Sequence, residues 1–97
     1  MTLEEFKLSL TFEVPPDTLV PLLKALWYDA KGKWEKAHEI SQSVHTARGS
    51  WVHAYLHRKE GDLSNASYWY AKAGRDLPLL TIQDEWDKIA MVLLSVS

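Results

Sequence analysis

The stretch Val52–Gly74, VHAYLHRKEGDLSNASYWYAKAG, constrains the fold more than any other part of the chain. Gly61-Asp62 at its centre is a stop followed by a start. Glycine takes the left-handed conformation that ends a helix, and aspartate offers an oxygen to the free N–H groups that open the next. Leu63, Ala66, Tyr70 and Ala73 then recur at helical spacing, with Trp69 beside them, until Gly74 stops the run. Two short helices and a tight turn cannot bury their apolar faces alone, so the chain has to supply more helices. A weaker copy does so in ALWYDAKGKWEKAHEI, Ala25–Ile40. Gly32 and Gly61 stand 29 positions apart, and at that offset Ala25 matches Ala54, Ala37 matches Ala66, and Gly-Lys-Trp matches Gly-Asp-Leu. Internal repeats of this length mean stacked helix pairs.

The other segments read as helices with their own stops. Thr2-Leu-Glu-Glu5 has the form of a capping box, and Leu3, Phe6 and Leu10 follow helical spacing. Phe6, Leu8, Leu10, Phe12 and Val14 also alternate strictly with polar residues, which is the pattern of a strand. The reading taken is a short helix to about Leu10 and an extended arm to Pro15-Pro16. Asp17 is an expected N-cap, with Pro21 in the first turn and Leu19, Leu22, Leu23, Leu26 and Ala30 as the apolar stripe. Trp27 and Tyr28 lie off that stripe, as expected of an inner helix, and Gly32 ends it. Lys33–Ser43 follows, burying Trp34, Ala37, Ile40 and Val44. His45–Gly49 reads as a polar loop, and Ser50 as the cap of a helix Trp51–Glu60. Thr81 is placed to cap a last helix whose apolar face is Ile82, Trp86, Ile89, Ala90 and Leu93. The fold class expected is all-α: five or six short antiparallel helices in one domain. Residues 1–16 form an N-terminal segment, 17–44 a first pair, 50–74 a second pair and 81–96 a capping helix.

Composition excludes several functions. The chain has 97 residues and a net charge of −2 with acids and bases interleaved, so it lacks the basic stripe that tracks phosphates, and no nucleic-acid partner is expected. It has no cysteine, which removes disulfides, thiolate metal sites and cysteine nucleophiles together. Acids stand in MTLEEFKLSL where a signal peptide needs bases, and the longest apolar run, Ile89–Leu94, is too short for a bilayer. A soluble cytoplasmic protein without a membrane partner is the expectation. Five Trp residues supply the large buried areas that a core of this size needs.

In the second unit Ala54, Gly61-Asp62, Ala66, Tyr70, Ala73 and Pro78 stand where the tetratricopeptide-like motif places small residues, turn, aromatic and proline. ASYWYAKA, Ala66–Ala73, is also similar to the second helix of the Sel-like branch. The chain therefore resembles a two-unit tetratricopeptide-like helical repeat over roughly residues 18–80. That resemblance implies stacked pairs whose first helices line a groove for a peptide or protein partner, or for a second copy of the chain. The groove positions it implies are Leu22, Leu26 and Asp29 in the first unit, and Trp51, Tyr55, Arg58 and Lys59 in the second. Aromatics among Arg and Lys suit an extended acidic segment.

Two further constellations stand out. Asn65, Tyr68 and Trp69 form a second contact patch on the last repeat helix. His53 and His57, four apart, with Glu60 three further on, place two imidazoles and a carboxylate on one helix face, as a divalent metal requires; His38 or His45 could add a ligand from outside that helix. On its own hydrophobic pattern this helix turns Trp51, Val52, Tyr55 and Leu56 inward and leaves both histidines outside. The family register turns Ala54 and His57 inward. Both hold if the helix is covered on two sides. For catalysis there is no nucleophile elbow, phosphate loop or dinucleotide fingerprint. The function expected is a non-enzymatic interaction module without a cofactor, and the alternative is a small metal-binding or metal-dependent protein using His53, His57 and Glu60.

Overall fold

The computed structural model describes residues 1–95. Among the described residues the chain is all-helical, with six α-helices: α1 (Leu3–Leu8), α2 (Pro21–Ala30), α3 (Trp34–Ser43), α4 (Ala47–Glu60), α5 (Leu63–Lys72) and α6 (Ile82–Ser95). A single 3-10 turn, Ser9–Thr11, extends α1. The expected limit of the last helix at residue 96 lies outside the described residues. Among the described residues no helix is long and apolar enough to cross a membrane.

Helix α1 opens with the expected capping box: Thr2 Oγ1 accepts from Glu5 N at 3.1 Å, and Glu5 Oε1 accepts from Thr2 N at 2.8 Å. Its one buried aromatic, Phe6, stacks on Trp86 with ring centroids 5.5 Å apart, which docks the N-terminal segment on α6. Trp27 Nε1 donates to Ser9 O at 3.1 Å, and Lys31 Nζ donates to Leu10 O and Phe12 O at 2.7 and 3.0 Å. These bonds satisfy carbonyls that the short helix would otherwise leave to water.

Two helix starts differ from expectation. Helix α2 begins at Pro21 after Val20, because Leu19 N bonds Pro16 O in a turn that uses up Asp17 and Thr18. Proline at the first helical position misses no hydrogen bond and has its φ already set. Helix α4 begins at Ala47, not Trp51, and its cap is Thr46, whose Oγ1 accepts from Gly49 N at 3.0 Å. Gly49 is therefore a helical residue. A Cβ built there would stand 2.0 Å from the carbonyl oxygen of Val44, so only glycine lets α4 start this close to the end of α3. We expect Gly49→Ala to be destabilising. Removing a helical glycine alone would gain about 1 kcal/mol. The backbone displacement should cost about 3 kcal/mol, at the upper end of overpacking, and should win. An unchanged denaturation midpoint would mean that the α3–α4 junction yields freely.

Gly32, Gly61 and Gly74 end their helices at φ of +81°, +90° and +72°, as the turn reading requires. Helix α2 packs on α3 and α4 on α5, while α3 meets α4, and α6 lies across α1, α2 and α4. Helix α4 is thus covered on several sides, and its residues from Trp51 to His57 are buried without a break. Leu63, expected in the buried stripe of α5, is instead 54% exposed at the first position of that helix. Among the described residues no buried side-chain nitrogen or oxygen lacks a partner.

Candidate metal centre

The groove residues expected on α2 and α4 do come together, around two buried carboxylates. Asp29 is 2% exposed and accepts from Tyr55 Oη at 2.8 Å and from Lys59 Nζ at 2.9 Å. Glu85 of α6 is 1% exposed and accepts from Tyr70 Oη at 2.6 Å, Trp51 Nε1 at 3.2 Å and Arg58 Nη1 at 2.9 Å. Arg58 Nη2 also bonds Leu80 O, and the Arg75 guanidinium lies over the Trp51 ring at 3.4 Å. Burial, and then Asp29, push the Tyr55 phenol above its usual pKa range; burial and the bond to Glu85 do the same for Tyr70. Asp29, Trp51, Tyr55, Arg58 and Lys59 therefore hold α2, α4 and α6 together. Sequence reasoning missed Glu85. The available signal was a lone acid on the apolar stripe of the last helix, between Ile82 and Ile89.

The two histidines of α4 face the other way, towards α3 and α5. His53 is 4% exposed and His57 is 7% exposed. His38 of α3, one helical turn after Trp34, leans in from the opposite helix. Ring centroids of His38 lie 4.6 Å from His53 and 5.1 Å from His57, and His53 and His57 are 4.8 Å apart. One ring nitrogen from each of the three lies within 4.8 Å of the other two.

Two indoles fix the edges of this cluster. Trp34 stacks on His38 at 4.9 Å and donates its N–H to Leu56 O at 2.9 Å, which pins α3 to α4. Trp69 of α5 stacks on His53 at 4.0 Å. Glu60 stands behind His57: its Oε2 is 2.6 Å from Nδ1. A carboxylate only accepts, so the proton of a neutral His57 sits on Nδ1 and the lone pair on Nε2. Asn65 Nδ2 touches that Nε2 weakly, at 3.4 Å. Neither ring nitrogen of His38 or of His53 has a hydrogen-bond partner among the described residues.

The members expected from sequence thus separate. His53 and His57 are in the cluster with His38, Glu60 supports His57 from behind, and His45 lies outside the three-nitrogen group. Glu60 and Asp62 also approach His57 as a second, exposed grouping, but Asp62 Oδ1 is taken by the N–H of Asn65 at 3.3 Å as the cap of α5. Of the second patch, Asn65 and Trp69 border the histidines, while Tyr68 is 55% exposed and meets Trp69 edge-on.

Burial holds His53 at a pKa of about 4, with the neighbouring His38 and His57 adding to the effect. His38 is lowered as well, by burial and then by His57. Both rings are therefore neutral near pH 7, with lone pairs to offer. The sign for stability follows from linkage. The unfolded chain binds these protons first, at an ordinary histidine pKa near 6.5, so stability is full above about pH 6.5 and declines as pH falls towards 4. His53 alone should contribute a loss of roughly 2–3 kcal/mol across that window. Urea midpoints measured from pH 7 to 4 should fall more steeply for the wild-type chain than for His53→Phe. Equal slopes would contradict this reading of the cluster. Comparison with protein-family models, curated proteins and solved structures returns no match, and the functional reading rests on the geometry of the site itself.

Proposed function

We propose that the chain is a divalent transition-metal-binding protein whose ligands are His38, His53 and His57. One observation carries this reading: three imidazole nitrogens converge within 4.8 Å, and two of the rings have no hydrogen-bond partner among the described residues. Three imidazoles suit zinc, copper, nickel or cobalt and do not suit calcium or magnesium. A tetrahedral ion at about 2.0–2.1 Å asks for nitrogens roughly 3.4 Å apart. The rings therefore need to close by up to about 1.4 Å to share one tetrahedral ion. Glu60 on Nδ1 is the arrangement that orients a ligating histidine and raises its basicity. Its role is to present Nε2 rather than to bind the ion, which replaces the His53, His57, Glu60 ligand set.

Equilibrium dialysis of the metal-stripped chain against micromolar zinc tests this. One zinc per chain is expected for the wild type and less than a tenth of that for His53→Ala. No retained zinc, or equal retention by both proteins, would overturn the reading.

A second reading keeps the interaction module. Its support is the exposed apolar connector Leu77, Leu79 and Leu80, 45%, 103% and 37% exposed, together with the exposed Tyr68. The pairwise packing of α2 on α3 and α4 on α5 is compatible with either role. A partner held in that way would meet the connector and not the α4 groove, whose side chains are spent on Asp29 and Glu85.

A further inference from the structure

A cavity of about 640 Å³ opens beside the histidines, between the end of α3, the start of α4 and α5. His53, Trp69 and Lys72 line it, with the Lys72 ammonium 5.4 Å from the Trp69 ring centre, and Ser41, Thr46 and Ser50 add hydroxyls. Although the chain as a whole carries more acids than bases, no carboxylate lines this cavity. The first turn of α4, a 14-residue helix, also borders it, and the leading N–H groups of a helix carry partial positive charge. His53 links this space to the histidine cluster. It is 4% exposed and without a hydrogen-bond partner, yet no sealed, unsatisfied nitrogen occurs among the described residues, so its ring nitrogens open onto free space.

We infer that this cavity takes a small organic anion whose oxyanion completes the coordination of the metal held by His38, His53 and His57. The inference rests on the metal reading above. Three imidazoles leave the ion its full double positive charge and a fourth position, and three-histidine sites commonly keep that position open to water or substrate. His53 belongs to the three-nitrogen group and also lines the cavity, which brings an ion it holds next to this space. Lys72 and the leading N–H groups of α4 supply positive charge in the lining of the same cavity. The volume lies within the usual range of small-molecule sites, about 300–1,000 Å³, so the space suits a carboxylate or phosphate ester better than a bare ion.

Cobalt(II) reports both steps separately, because its visible absorption appears on binding to histidines and changes when a coordination position is filled. The chain is loaded with cobalt and titrated with inorganic phosphate, with acetate, and with sodium chloride at matched ionic strength. A saturable spectral change is expected with phosphate or acetate but not with chloride, and the more effective of the two identifies the oxyanion class. Lys72→Met should weaken that response at least tenfold without altering cobalt uptake, and Lys72→Arg should restore it. Cobalt uptake with a spectrum indifferent to both anions, or an unchanged response in Lys72→Met, would overturn the anion site and leave the metal site standing. Absence of cobalt uptake would overturn both.

Discussion

Glu85→Ala is expected to lower the melting midpoint by at least about 12 °C. The carboxylate is almost completely buried and is the common acceptor for Tyr70 Oη, Trp51 Nε1 and Arg58 Nη1. Its removal strands three donors at once, one of them a guanidinium beneath α6. Breaking a buried pair from one side costs about 3–5 kcal/mol, chiefly because the partner charge is left uncompensated. In a domain of this size each kcal/mol moves the midpoint by roughly 4–8 °C, so even the lower bound is large against a total stability of about 5–15 kcal/mol. The double variant Glu85→Ala, Arg58→Ala should lose less than the sum of the two single variants, since a guanidinium that is absent cannot be stranded. Circular dichroism melts of the four proteins check this. A Glu85→Ala midpoint within about 4 °C of wild type would show that water reaches the network and that α6 is not held by it.

The second large effect is stabilisation by metal. His38 lies on α3, and His53 and His57 lie on α4, so a shared ion would staple α3 to α4. A ligand that binds only the folded chain adds about 2.7 kcal/mol at a hundredfold excess over its dissociation constant. For this chain that is a rise of roughly 11–22 °C in midpoint. Zinc should produce it in the wild type, and magnesium should not, because magnesium avoids an all-imidazole shell. The rise should fade as pH falls towards 4, where His53 takes up its proton in place of the metal. His38→Ala should abolish it although His38 is only half-buried, a result that a merely structural role for the ring does not give. Glu60→Gln should keep the site but weaken it by about 10–100-fold, the usual effect of losing the group that orients a ligating histidine.

Much of the fold was legible because it is written in local chemistry. Each helix-ending glycine, the Thr2–Glu5 capping box and most of each apolar stripe depend on residues within a turn of one another, and these were read correctly, whereas Ala30 and Leu63 are exposed. Of the two misplaced helix starts, that of α2 follows from a local turn between Pro16 and Leu19, and that of α4 from the end of the preceding helix. Ser50 is as good a cap as Thr46 by residue type, and what decides between them is Val44 closing over Gly49 from the preceding helix. Leu63 was assigned to a stripe on spacing alone, whereas burial depends on what packs against it. The candidate sites were less legible still. The two registers of α4 seemed to conflict because each describes one contact, and the helix is buried through Trp51–His57. His53 and His57 were visible as a pair, but their third member comes from α3, fifteen positions before His53. Nothing in the sequence says which of His38 and His45 turns towards them. Asp29 and Glu85 each look like a surface acid in composition. Only the tyrosines and bases that converge on them from other helices make them interior groups.

The most direct test of the metal centre is anomalous diffraction at the zinc edge, from crystals of the chain grown with zinc. One dominant peak per chain is expected, about 2.0–2.1 Å from a ring nitrogen of each of His38, His53 and His57, with Glu60 still on His57 Nδ1. A peak held by Glu60 and Asp62 instead, or no peak between α3 and α4, would contradict it.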